Sequence, residues 1–253
     1  MRVYRVESAA EAAQAYPCIT EDSRWAAGLP LSREWFARNL GEHVWAWHAE
    51  EDGKVVGHIY WAPAERALVP YRVEDGAAFL YCEWVQGPYQ GRGIMRALFS
   101  AFVEGLRAEG YKGIVVDVTE YPNYMHYSHF AKRGFRVLRE GEGWKLMYLP
   151  LSQATVEVEP LEVHIPRFGT ASVEIVILGS RFCPVGAWTV LEVRKVASEF
   201  PGEVELREIP ASSETLARYG RADGIFINGR EPFIGPTSED AIRTAIREAL
   251  ERG

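Results

Sequence analysis

The stretch from Ala78 to Phe102 constrains this chain most. An apolar and aromatic run, Ala78 to Trp84, reads as a buried strand, and a tight turn holding Gly87, Pro88, Gly91 and Gly93 follows it. An amphipathic helix comes next, with Leu98, Phe99, Phe102 and Leu106 on one face and Gly110 at its end. Glycines let a backbone approach a ligand closely, and the first turn of a helix leaves amide donors without internal partners. The turn therefore suits a pyrophosphate, with Arg92 adding charge. Many glycine turns merely change the chain's direction, so the turn alone does not establish a ligand.

The wider pattern is more specific. Val85, then Gln90-Gly91-Arg92-Gly93-Ile94, a helix, a strand at Ile114 to Val118, and Asn123 ahead of Ala131-Lys132-Arg133-Gly134-Phe135 resemble the GNAT superfamily of acyl-CoA-dependent N-acetyltransferases. The coenzyme A loop of that family reads Gln/Arg-x-x-Gly-x-Gly/Ala. Gln90 and Gly93 match its first and fourth positions, while Met95 departs from the sixth. The resemblance implies an enzyme that moves an acetyl group from acetyl-CoA to an amine by direct attack. It implies coenzyme contacts at Val85, Gln90, Gly91, Arg92, Gly93, Ile94 and Asn123. The Val85 amide would face the thioester carbonyl and Asn123 the pantetheine arm, although an Asn there equally suits a helix N-cap.

Such a transfer needs a neutral amine, a stabilised oxyanion and a proton for the departing thiolate. Glu83 shares a strand face with Val85 and is the candidate base; the competing reading is an ion pair or an exposed edge. Many members of the family carry a tyrosine acid four residues before the Gly-Phe pair, and here that residue is Phe130. Tyr127 and Tyr124 lie about one and two helical turns earlier, and Tyr127 is the preferred acid. His126 and His129 lack the further ligands of a metal set and read as surface or rim groups, so no metal is expected. Cys82 points away from Glu83 and reads as core.

Taken in order, Val3 to Val6 reads as a strand and the segment after Ser8 as a helix ended by Pro17. A helix from Arg33 to Leu40 is expected behind an N-cap at Ser32 and before Gly41. Val44 to His48 and Lys54 to Trp61 form a hairpin around Asp52-Gly53. Gly113 to Val118 is a strand, Tyr124 to Arg133 a helix, and Phe135 to Leu138 with Trp144 to Leu149 a closing hairpin. The expected fold is α/β, a GNAT-type mixed sheet flanked by helices over residues 1–150. Residues 151–170 read as a linker or crossing segment, punctuated by Pro160, Pro166 and Gly169.

Residues 171–253 alternate strand, helix, strand, helix, strand, strand, helix, which resembles thioredoxin-like domains. The final strand is read at Pro232 to Gly235, and Thr237 with Asp240 reads as a capping box for the last helix. Cys183 stands where thioredoxins carry Cys-x-x-Cys, but Gly186 replaces the second cysteine and Asp223-Gly224 stands where the cis-proline belongs. A helix N-terminus lowers a thiol's pKa, yet no resolving partner is present to close a disulfide. A recruitment, lid or dimerisation role fits better than redox turnover. The combination of both domains is similar to the YoaP-like acetyltransferases.

A net charge of −7 argues against a broad nucleic-acid surface. Three cysteines without close spacing point to a reducing cytoplasm. No apolar segment approaches the roughly 20 residues that span a bilayer, and the N-terminus has no signal-peptide core. The acceptor is expected to be a small-molecule amine or a peptide, and a homo-oligomer is left open. The reading from another class is a non-catalytic acyl-CoA sensor or scaffold whose second domain meets a partner.

Overall fold

A computed structural model describes residues 1–122, 124–165, 168–169, 171–233 and 235–252. The chain forms two compact units: Met1–Cys18, Asn39–Ala67 and Arg72–Glu159 make the first, and Ile19–Arg38, Leu68–Tyr71 and Pro160–Gly253 the second. Residues 19–38, which the sequence reading kept with the N-terminal domain, thus cluster with the C-terminal residues.

The first unit is built on a seven-stranded mixed sheet. Its strands are β1 (Arg2–Arg5), β2 (Trp45–Glu51), β3 (Lys54–Pro63), β5 (Ala77–Val85), β6 (Gly113–Thr119), β8 (Trp144–Pro150) and β7 (Arg136–Gly141), in that spatial order. Between β3 and β5 in sequence comes β4 (Tyr71–Val73), which pairs apart from the large sheet with β9 (Val158–Pro160). All neighbours are antiparallel except β5 and β6. Asp52 and Gly53 both take positive φ, 52° and 76°, which lets a two-residue turn join β2 to β3 as expected.

Register sorts the side chains into two faces. Trp45, Trp47, Ile59, Trp61, Glu83 and Val85 share one, while Ala46, His48, His58, Tyr60, Cys82 and Trp84 share the other. Helix α3 (Ile94–Ala108) packs on the first face, burying Leu98, Phe102 and Leu106 against Ile59 and Trp61. A Cβ at Gly105 would lie 3.0 Å from the Trp47 ring, so the helix carries glycine where the indole passes. Helix α1 (Ala9–Ala12) is a single turn held by reciprocal bonds between Ser8 and Glu11.

Several expected boundaries move. Helix α4 spans only Tyr127–Ala131 and is capped by His126, because residues 125 and 126 instead sit beside the end of β6, with Thr119 bridging His126. Asn123, the expected cap and coenzyme contact, lies outside the described residues.

In the second unit, helix α2 (Leu29–Asn39) begins before Arg33; Ser32 sits buried inside it, not at its N-cap, because a preceding short turn at Ala26–Gly28 already starts the helix. Strand β10 (Val173–Leu178) is central, with β11 (Val204–Ile209) parallel on one side and β12 (Gly224–Ile227) antiparallel on the other. Helices α5 (Pro184–Ala197), α6 (Ser213–Tyr219) and α7 (Glu239–Arg252) connect and follow them. The Asn228-Gly229 turn forms, but the described residues of the expected strand at 232–235 are not extended into the sheet. Pro232 and Pro236 lack the N–H groups a ladder requires. Ser238, rather than Thr237, caps α7 by accepting from the Ala241 amide, while Thr237 donates to the Gly235 carbonyl.

Candidate functional site

The site opens where two parallel strands stop pairing. β5 and β6 are paired only from Ala77–Gly113 to Leu80–Val116, yet β5 runs on to Val85 and β6 to Thr119. Past Leu80 the edge of β6 is taken by residues 125 and 126, the Thr119 amide bonding the Met125 carbonyl at 3.0 Å. A bulge centred on Tyr81 turns β5 at the same level, with Cys82 opposite Tyr60 and Leu80 opposite Trp61. The result is a cleft of about 470 Å³, lined among others by Glu83, Val85, Gln90, Met125, His126 and Arg133.

Backbone polarity in the cleft follows from strand alternation. The Gln86 amide bonds the Val56 carbonyl on the β3 side, whereas the Glu83 amide points the other way and meets the Met125 sulfur at 3.4 Å. Val85 has the same parity as Glu83, so its amide also faces the opening. The Val85 carbonyl accepts a 2.9 Å bond from Gln90 Nε2, which ties the strand to the turn beyond it.

That turn ends at α3. Gly91 and Gly93 have φ of +74° and +81°, and a Cβ on either would meet nothing within 4 Å. Conformation therefore demands glycine there, and the space above both is open. The Ala97 amide bonds the Gly93 carbonyl and closes the first turn of α3; amides ahead of such a bond have no partner inside the helix and suit a ligand. Ile94 turns its side chain into the core and offers only its backbone. Arg92 Nη2 bonds Glu51 Oε1 at 2.8 Å and stands 5.4 Å from the Tyr89 ring. These groups fit a coenzyme with an anionic end and an amide-bearing arm: helix N-terminal donors for the former, outward strand amides for the latter.

Glu83 is nearly buried, with 8% of its side chain exposed, and both its oxygens are engaged by Arg133. The guanidinium also stacks on Phe99 and Phe130 and donates from Nε to the His129 carbonyl at 3.2 Å. The competing reading of Glu83 as half of an ion pair thus describes the observed geometry. His126 and His129, read from the sequence as surface or rim groups, line the cleft, whereas Arg133 is a cleft residue that sequence reasoning passed over. Arg133 sits beside the Gly134-Phe135 pair and looked like a helix-end cation; nothing in the sequence ties it to Glu83.

Tyr127 packs against the core, its ring 4.7 Å from His126 and 5.3 Å from Lys145 Nζ. It is not among the residues that line the cleft, whereas His126, His129 and the exposed Tyr124 are. The Ser128 backbone amide, which can only donate, bonds His126 Nδ1 at 3.3 Å. Nδ1 is therefore the acceptor, and the ring proton of the neutral imidazole stands on Nε2. No group of three or more His, Cys, Asp or Glu side chains is placed to hold a metal ion among the described residues.

In the second unit, Cys183 precedes α5. Burial pushes its thiol pKa up, and the neighbouring amides of Val185 and Gly186 offset this only in part. The lowered pKa expected from a helix N-terminus is overturned by desolvation. None of the three cysteines is in a disulfide, and among the described residues no helix is long and apolar enough to cross a membrane.

A family model described as "Acetyltransferase (GNAT) family" matches residues 9–135, half of the chain. No curated protein sequence matches significantly. Among solved structures, the ribosomal-protein-S18-alanine N-acetyltransferase of Escherichia coli is similar with a TM-score of 0.45 and 20% identity, over 61% of this chain and 96% of its own. The PaiA N-acetyltransferase of Thermoplasma acidophilum, solved with coenzyme A, has a TM-score of 0.43 and 14% identity, over 59% and 99%. The YhbS GNAT family N-acetyltransferase of Escherichia coli, also with CoA, has 0.43 and 18%, over 60% and 81%.

Proposed function

Given that this chain belongs to the acetyltransferase (GNAT) family, whose members move an acetyl group from acetyl-CoA to an amine, we propose how its own residues divide that work. The observation that carries the reading is the divergence of β5 from β6 beside the glycine turn. The amides of Gly91 to Ile94, with Gln90 bracing the turn and Arg92 at its rim, hold the pyrophosphate. The Val85 and Glu83 amides receive the pantetheine arm and the thioester carbonyl, and Asn123 contacts the same arm. Amides aimed at the carbonyl oxygen stabilise the charge that develops there when the amine attacks.

Glu83 takes the proton of the amine, directly or through water, once one of its two bonds to Arg133 gives way. The departing thiolate receives its proton from the Nε2–H of His126; Tyr127, the acid expected from the sequence, packs behind that ring and positions it. Attack is direct, with no acyl group parked on the protein. The acceptor is a small-molecule or peptide amine with apolar or aromatic bulk, supported by the exposed Tyr124 on the cleft wall. The C-terminal residues form a thioredoxin-like, YoaP-like domain without redox turnover, which fits the β10, β11 and α5 arrangement and the suppressed ionisation of Cys183. Three cysteines outside any disulfide suit a reducing cytoplasm.

Calorimetric titration with acetyl-CoA and coenzyme A, followed by an amine panel monitored for thiol release, tests this reading. Binding and turnover on an amine are expected. Absence of coenzyme binding would sink it.

A further inference from the structure

The geometry points to Met125 as the residue that restricts the transferred acyl group to a short chain, an assignment that rests on the coenzyme reading of the cleft. Where β5 leaves β6, the Met125 side chain fills the opening: its sulfur accepts from the Glu83 amide at 3.4 Å, and the residue is only 9% exposed. It belongs to the same core cluster as Val118 and Phe130, so packed apolar side chains bound that end of the cleft.

Two amides on β5 face the opening. Val85 is nearer the glycine turn, where the pyrophosphate binds, so a coenzyme entering from that turn reaches Val85 first and Glu83 last. The acyl end therefore arrives at the Glu83 amide and at Met125. A thioether is a weak acceptor, so a thioester carbonyl displaces it from the amide readily. The amide stays oriented and dry until then.

The methionine backbone has little freedom to retreat. Met125 holds φ of +41°, its carbonyl is bonded by the Thr119 amide at 3.0 Å, and the next residue bridges Thr119. Only the side chain can yield, and it yields against a packed core. A longer acyl chain would have to push the thioether into Val118 and Phe130. Discrimination by a packed apolar wall amounts to about 10- to 200-fold per methylene.

Calorimetry of coenzyme A, acetyl-CoA and butyryl-CoA against the wild-type chain, Met125→Ala and Met125→Leu separates the possibilities. The wild type is expected to prefer acetyl-CoA over butyryl-CoA by about tenfold or more, Met125→Ala to narrow that ratio to about threefold, and Met125→Leu, which keeps the volume, to retain it. Coenzyme A itself should bind all three alike. An unchanged ratio in Met125→Ala, with coenzyme A still bound, overturns the role of Met125 and leaves the coenzyme site standing. A wild-type chain that binds none of the three ligands removes the coenzyme reading itself. Should Met125→Ala lose coenzyme A, Met125→Gly, which tolerates the positive φ, carries the same comparison.

Discussion

Arg133 grips both carboxylate oxygens of Glu83, and its guanidinium stacks 4.6 Å from the Phe99 ring centroid and 4.7 Å from that of Phe130. Phe130 occupies the position at which the family resemblance leads one to expect a tyrosine. Here that residue supports a cation instead of supplying a phenol.

Removing the arginine leaves a nearly buried carboxylate unpaired. Arg133→Ala is expected to lower stability by about 3 kcal/mol, measured by chemical denaturation. Glu83→Gln should cost less stability but reduce kcat by about 100-fold, with coenzyme A affinity unchanged. Full activity in Glu83→Gln would remove Glu83 from the chemistry and leave it a structural ion pair.

The glycine turn makes a cleaner test of the pyrophosphate end. Gly93→Ala should cost about 1–2 kcal/mol, because φ of +81° is unfavourable for any Cβ, and should weaken coenzyme A binding as the turn relaxes. Gly87 has equally open space but no positive φ, so Gly87→Ala should leave stability and affinity near wild type. Equal losses in both variants would contradict a conformational origin.

His48 and His58 stand opposite each other on β2 and β3, fully buried, with no hydrogen-bond partner for their ring nitrogens among the described residues. Burial holds the His48 pKa down to about 4 from 6.5, the Glu11 charge opposing weakly, and burial together with the neighbouring His48 holds His58 well below its ordinary value. The unfolded chain thus binds more protons than the folded one once the pH drops below about 6.5, so stability falls from there towards pH 4. For His48 alone the loss is about 3 kcal/mol. Denaturation midpoints between pH 7.5 and 4.5 should show this slope, and His48→Leu should flatten it; an unchanged slope in that variant would assign it to other groups.

Within the second unit, Gly28 lies against the start of α5. A Cβ there would come 2.0 Å from the Pro184 carbonyl oxygen and 2.8 Å from the Trp188 amide nitrogen, both backbone atoms that cannot swing aside. Gly28→Ala should destabilise the chain by about 2–3 kcal/mol, read as a lowered Tm. A neutral effect would mean that residues 19–38 do not pack with residues 160–253.

Local chemistry made much of the first unit legible in the sequence. Alternation and the Asp52-Gly53 turn identify the β2–β3 hairpin, and the stripe from Leu98 to Leu106 identifies α3, because burial of one face imposes a period that short windows reveal. The Gly91 and Gly93 turn was legible for the same reason: positive φ selects glycine whatever lies around it. What only the tertiary structure decided are relationships between residues far apart in the chain. Glu83 and Arg133 are joined by the cleft geometry, Met125 is placed under the Glu83 amide by the strand divergence, and residues 19–38 pack with the C-terminal unit. Cys183 shows the same division for electrostatics: its place before a helix is written in the sequence, but desolvation, which depends on what folds over it, sets the direction of its pKa.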